Sequence, residues 1–191
     1  MGRMLIRVPR MFTEAELKNY LKELPSDFEQ IQGEFWGYVN EKLTNYAGKV
    51  QRVYRDGICV SGTEALDQLA KLDDANFKIA KKLVDGGASF EKTEEELLVA
   101  ESESWLGMLS IQVQNLAVLK FYEDTMAERD SFVSKRIDET LGIDELGVLF
   151  FYPSRRIILD EKTKIITMQR FDPLDYLSSW QSKLSSKINE K

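Results

Sequence analysis

Gly147-Val148-Leu149-Phe150-Phe151-Tyr152, closed by Pro153, is an apolar run without alternation. A strand with one face in water alternates apolar and polar positions. An unbroken run between a glycine and a proline therefore reads as a strand covered on both faces. Such strands sit in sheets flanked by helices, so this segment predicts an α/β domain. Downstream, Ile157-Ile158-Leu159 and Ile165-Ile166-Thr167-Met168 read as two more strands joined by the polar turn Asp160-Glu161-Lys162-Thr163. Asp172-Pro173 then opens a C-terminal helix near 172–188, with aspartate as cap and proline at the first helical position.

Upstream, Thr93-Glu94-Glu95-Glu96 reads as a capping box with carboxylates at the positive end of the helix dipole. No proline follows until Pro153, which predicts one long apolar helix near 93–126 and a second to about 141, the two merging if no break intervenes. The first would measure on the order of 50 Å at about 1.5 Å per residue. That length implies a kink near Gly107 or a partner helix from a second copy. Ala88–Lys92 reads as a short strand, residues 63–85 as a helical pair stopped by Gly86-Gly87, and Lys49–Tyr54 as a strand ending at Arg55-Asp56-Gly57. Leu5–Val8 is an opening strand closed by Pro9. Between these strands, Thr13 with Glu16 and Ser26 with Glu29 form capping-box patterns, and Phe28, Ile31, Phe35, Val39, Leu43 and Tyr46 make an amphipathic stripe. The whole reads as a single α/β domain over 1–191, with a mixed sheet of about five to six strands and flanking helices.

The 191 residues contain no histidine. The commonest general base and transition-metal ligand is thus excluded, and with it every His-dependent triad. Cys59 is the single cysteine, so no disulfide forms within this chain and no multi-cysteine metal site exists. A lone cysteine and the lack of a readable signal peptide point to a cytoplasmic location. The formal charge of −6 argues against nucleic-acid binding. Trp105–Tyr122 is apolar but interrupted by Ser110, Gln112, Gln114, Asn115 and Lys120, so no membrane span is expected.

No phosphate loop, dinucleotide fingerprint, nucleophile elbow or zinc helix is present. What remains is carboxylate, guanidinium and hydroxyl chemistry. Glu128-Arg129-Asp130, with Arg136 two turns on, has the composition to hold a metal, a phosphate or its own members in ion pairs. Arg155-Arg156 and Asp56 follow strands, and the crevice beyond strand carboxyl ends is where α/β proteins bind ligands; both also suit ordinary polar turns. Glu94 is adequately explained as a dipole partner. Cys59, between Ile58 and Val60, reads as a small buried hydrophobe. The aromatic set Trp36, Trp105, Phe121, Tyr122, Phe150, Phe151 and Tyr152 reads as core or as the lining of a pocket.

Several segments together resemble uncharacterised members of the TraB and erythromycin-esterase-like superfamily: Leu5–Thr13 (LIRVPRMFT), Phe35-Trp36, Arg52–Gly57 (RVYRDG), Leu83–Leu98 (LVDGGASFEKTEEELL), Glu128–Leu141 (ERDSFVSKRIDETL) and Gly147–Phe151 (GVLFF). The resemblance implies a hydrolase or metal-dependent ancestry with histidines in the opening segment and after the late strand. Here those places hold Phe12 and Tyr152-Pro153-Ser154-Arg155. Losing imidazole removes both base and ligand, so the resemblance implies a pseudoenzyme.

The resulting expectation is a non-catalytic binding or structural protein without a resident cofactor. It would take a small anionic ligand at Asp56, Glu94, Glu128, Arg129, Asp130, Arg136 and Arg155, and form a homo-oligomer through the long helix. The alternative is a histidine-free hydrolase in which Asp56, Glu94, Glu128 and Asp130 hold Mg²⁺ or Mn²⁺ while Arg129 or Arg155 steadies an anionic transition state. A third reading is a purely structural assembly protein.

Overall fold

A computed structural model describes residues 2–18, 21, 23–111 and 115–189, with side chains as far as Ser182. The elements run β1 (Met4–Pro9), α1 (Glu14–Lys18), α2 (Phe28–Thr44), β2 (Arg52–Arg55), α3 (Gly62–Leu72), α4 (Asp74–Asp85), β3 (Ser89–Phe90), α5 (Glu96–Ile111), α6 (Leu116–Thr140), β4 (Leu146–Phe151), β5 (Lys164–Thr167) and α7 (Pro173–Asn189). The strands form one sheet in the order β3-β2-β4-β1-β5, and every adjacent pair is parallel. The α/β class and a five-stranded sheet therefore hold. Where a mixed sheet was expected, a crossover separates each strand from the next, and the pairing is parallel throughout.

β4 lies between β1 and β2, and all six of its residues are buried. Val148 and Phe150 join Ile6, Val8 and Val53 beneath the apolar stripe of α2 and the inner faces of α3 and α4. On the opposite face, Leu149 and Phe151 join Leu5 and Tyr54 beneath Val133, Ile137 and Leu141 of the α6 end. This two-sided cover is the reason for the unbroken apolar run. Gly147 sits in tight packing: a Cβ there would lie 2.9 Å from Leu5 Cδ1 and 3.1 Å from Leu141 Cδ1, so those buried side chains would have to shift.

Local signals fared unequally. The first capping box forms, with Thr13 N–H donating to Glu16 Oε2 at 2.8 Å and Glu16 N–H to Thr13 Oγ1 at 3.2 Å. The second does not, because Asp27 occupies the α2 cap without a side-chain bond. Residues 157–159 are not a strand: Ile157 and Leu159 pack on the α6 side, and Ile158 N–H donates to Ser134 Oγ rather than to a ladder.

The long helix near 93–126 is likewise corrected. Its span divides between α5 and α6, and the expected kink at Gly107 falls inside α5, while residues 112–114 lie outside the described set. Asn115 supplies the start that the sequence reading treated only as a polar interruption: its Oδ1 accepts from the N–H groups of Ala117 and Val118. Thr93 does not cap α5. It is buried, and its hydroxyl donates to the carbonyls of Arg55 and Ile58, tying the segment before α5 to the end of β2. No described helix is long and apolar enough to cross a membrane.

Candidate functional site

From β1 the chain passes over β4 to β2, moves outward to β3, and returns to β4 before ending beyond β1 at β5. The chain thus leaves β1 and β4 in opposite directions, which opens a crevice at their carboxyl ends. Arg10 follows β1, Arg55 and Asp56 close β2, and Tyr152 to Arg155 follow β4. Gly57 makes the turn after β2 at φ +79, where a side chain would be strained and its Cβ would press on Arg55 Nη1 at 3.0 Å.

These residues build a buried network of ion pairs. Glu94 is fully buried and receives Arg129 side-on, Nε to Oε2 and Nη2 to Oε1, both at 3.0 Å. Its Oε1 also accepts from Arg155 Nη1 at 2.7 Å and from Gly57 N–H at 3.2 Å. Asp56 accepts from Arg10 Nε at 3.1 Å and from Tyr152 N–H at 2.8 Å. Asp130 accepts from Arg155 Nε and from Arg156 N–H. Arg10 clasps Glu16 with both terminal nitrogens, at 2.9 and 2.7 Å, and Arg129 Nη1 reaches Ser102 Oγ at 2.7 Å.

Donors and acceptors do not balance. Each of the eight oxygens of Glu16, Asp56, Glu94 and Asp130 accepts at least one hydrogen bond. Within this network two buried guanidinium nitrogens, Arg55 Nε and Arg155 Nη2, donate none. Arg55 is the least compensated charge. It is 5% exposed, its Nη1 bonds the Asp56 carbonyl, and its ion pair with Asp56 Oδ1 is long at 3.6 Å. Burial, and then the like charge of Arg10, lower its pKa. For Arg10 and Arg155 burial acts in the same direction, but their carboxylate partners outweigh it and the pKa rises. Asp73, the α4 cap, also acts electrostatically on Arg55 but makes no ion pair with it; burial raises its pKa, and its Oδ2 has no donor.

Above this floor opens a cleft of about 680 Å³, lined by Arg10, Arg55, Arg129 and Arg155 below and by apolar side chains from α1, α5, α6 and α7. Phe12 and Tyr152 meet edge to face beside it, their ring centroids 5.3 Å apart, and Arg10 lies over the Tyr152 ring.

Of the seven site residues read from the sequence, Asp56, Glu94, Arg129, Asp130 and Arg155 converge. Glu128 and Arg136 do not. Glu128 is one position from Arg129, about 100° around the helix, and is exposed. Arg136 sits two turns, about 10 Å, along α6 from Arg129, where it pairs with Glu139 at 3.3 Å. Arg10, Glu16 and Arg55 were missed, although the strand-end rule that singled out Asp56 and Arg155 applies equally to Arg10 and Arg55. Glu94, read as a dipole partner, is instead a shared counterion. Cys59 is half-buried, and burial pushes its thiol pKa up. Trp36, Phe150 and Phe151 are core; Trp105 stacks on the half-exposed Phe121, and Tyr122 faces the cleft.

Every carboxylate in the network faces guanidinium or amide donors, so a divalent cation there would have to displace existing ion pairs. Among the described residues, no three acidic or cysteine side chains are grouped to hold a metal. Compared with family models, curated proteins and solved structures, the chain gives no match.

Asp56 sets an acid limit. Burial raises its pKa, but Arg10, Arg55 and Arg155 more than offset this and bring it to about 2, below the ordinary 3.8. A depressed folded-state value stabilises the fold above the unfolded value and loses that contribution as pH falls through the folded one. Between about pH 4 and 2 the native chain is therefore expected to lose on the order of 2 kcal/mol from this group. Urea unfolding across that window should show a smaller loss for Asp56→Asn. Equal losses in both proteins would remove Asp56 from the account.

Proposed function

We propose that this chain is a non-catalytic, cytoplasmic binding protein, a histidine-less relative of the TraB and erythromycin-esterase-like superfamily, whose cleft takes a small anion. The observation that carries the reading is the surplus of donors: all eight carboxylate oxygens are engaged, while buried Arg55 Nε and Arg155 Nη2 are not. A buried N–H without an acceptor costs about 1–3 kcal/mol, and an anion seated against Arg55 and Arg155, both of which line the cleft, offsets that cost once a small side-chain shift opens these nitrogens to it. Four sequence segments behind the family resemblance border this crevice: Phe12 lies in Leu5–Thr13, Arg52–Gly57 is another, Glu94 lies in Leu83–Leu98, and Arg129 and Asp130 lie in Glu128–Leu141.

Calorimetric titration at low ionic strength with acetate, sulfate and phosphate tests the reading. Saturable binding is expected for the native protein, and at least about tenfold weaker binding for Arg55→Met. Because that substitution removes an undercompensated buried charge, the variant should unfold no earlier than the native chain. Lost binding then reports a lost site rather than a lost fold. Indistinguishable titrations for the two proteins would sink the proposal.

The homo-oligomer belongs to the same proposal. Met108 and Ile111 of α5 and Leu116, Leu119 and Phe121 of α6 are exposed, a concentration of apolar surface that a second copy would cover. Light scattering on the purified chain decides between monomer and dimer.

A further inference from the structure

The proposed anion site continues upward into walls of different chemistry. Leu17 of α1, Val99 and Leu106 of α5, Tyr122 and Met126 of α6, and Leu177 of α7 line the same 680 Å³ cleft whose floor carries the four arginines. Most of these side chains are not core. Val99, Leu106, Tyr122, Met126 and Leu177 are half-buried, and α5 has only Ser102 fully inside among its described residues. An inorganic anion would use the floor and leave these walls wet. A cavity of this size, apolar on its sides with a few polar groups converging at one end, suits an organic ligand held by its head.

Charge narrows the head. Arg10, Arg55, Arg129 and Arg155 are equal in number to Glu16, Asp56, Glu94 and Asp130, so the network is formally neutral before anything binds, although Arg55 has only a long ion pair with Asp56. A second uncompensated negative charge in so dry a place costs more than a first. The two unengaged donors, Arg55 Nε and Arg155 Nη2, call for a singly charged head. Among the described residues, Lys71 and Glu103 also line the cleft outside the network, one charge of each sign, so they leave its balance unchanged.

We infer that the ligand is an amphipathic monocarboxylic acid, its carboxylate against Arg55 and Arg155 and its apolar body between α1, α5, α6 and α7. This rests on the anion-binding reading above. It adds that the walls contribute affinity and that the head carries one charge.

The test is a calorimetric series of acetate, butyrate, hexanoate, octanoate and decanoate, with octanol as uncharged control and phosphate as inorganic anion. Affinity should rise with chain length, by about fourfold per methylene where burial is complete. Octanol should bind at least about tenfold more weakly than octanoate, since a charged hydrogen bond is lost. Leu106→Gln, an uncharged polar side chain at a half-buried position, should flatten the length dependence and weaken octanoate far more than acetate. Arg55→Met should weaken binding of every acid by at least about tenfold. Acetate or phosphate binding with no gain on lengthening the chain would overturn this inference and leave the anion site standing. Failure of every acid to bind would overturn both. Equal affinity for octanol and octanoate would overturn it as well, because the cleft would then read apolar bulk without charge.

Discussion

Glu94→Ala is expected to lower the free energy of unfolding by about 3–5 kcal/mol, the usual cost of removing one partner from a buried ion pair. For a chain of this length that is a fall of roughly 10 °C in melting temperature. Glu94 is the hub because its two oxygens hold Arg129 side-on, Arg155 end-on and the Gly57 amide at once. Truncation strands two guanidiniums whose side chains are 12% and 3% exposed. Glu94→Gln keeps an acceptor but not the charge, and should fall between native and Ala in urea denaturation. A loss under about 1 kcal/mol for Glu94→Ala would mean that water already screens the network, as it does for surface pairs, and the buried floor described above would be wrong.

Phe150→Ala is expected to cost a similar 3–5 kcal/mol through a different mechanism, lost transfer energy plus a cavity that its surroundings cannot close. Phe150 is fully buried near the carboxyl end of β4, in register with Val8 of β1 and Arg55 of β2, with the Trp36 ring 6.3 Å away beneath α2. Strands bonded on both sides collapse poorly into a void. Equilibrium unfolding reads the loss directly, and a cost near that of an exposed substitution would contradict the central placement of β4. Because the residue adjoins Arg55 across the ladder, anion binding should weaken in the same variant even under conditions where it remains folded.

The central strand, the opening strand and the α2 stripe were legible because local pattern and final environment agree: residues 147–151 are apolar throughout and buried throughout. Residues 157–159 misled because an apolar triplet with alternating burial suits a strand and a loop packed on a helix equally well. The break before α6 was hidden because Asn115 looked like any polar residue in an apolar stretch; only its bonds to the following amides show it to be a cap. At the site, the strand-end rule located Asp56 and Arg155, and the rest depended on contacts between distant segments. Arg10 meets Asp56 across 46 positions, and Arg155 meets Glu94 across 61. Helix phase explains Glu128, which points away from its neighbour Arg129, while Arg136 keeps nearly the phase of Arg129 but lies two turns, about 10 Å, further along α6.

α5 contributes a single fully interior residue, Ser102, yet it furnishes Val99 and Leu106 to the mouth of the cleft. Substitutions along that helix can therefore redraw the shape of what enters while the guanidinium floor and the sheet beneath remain as they are. In such an architecture selectivity drifts independently of foldability, and descendants of one scaffold can diverge in diet without ever risking collapse.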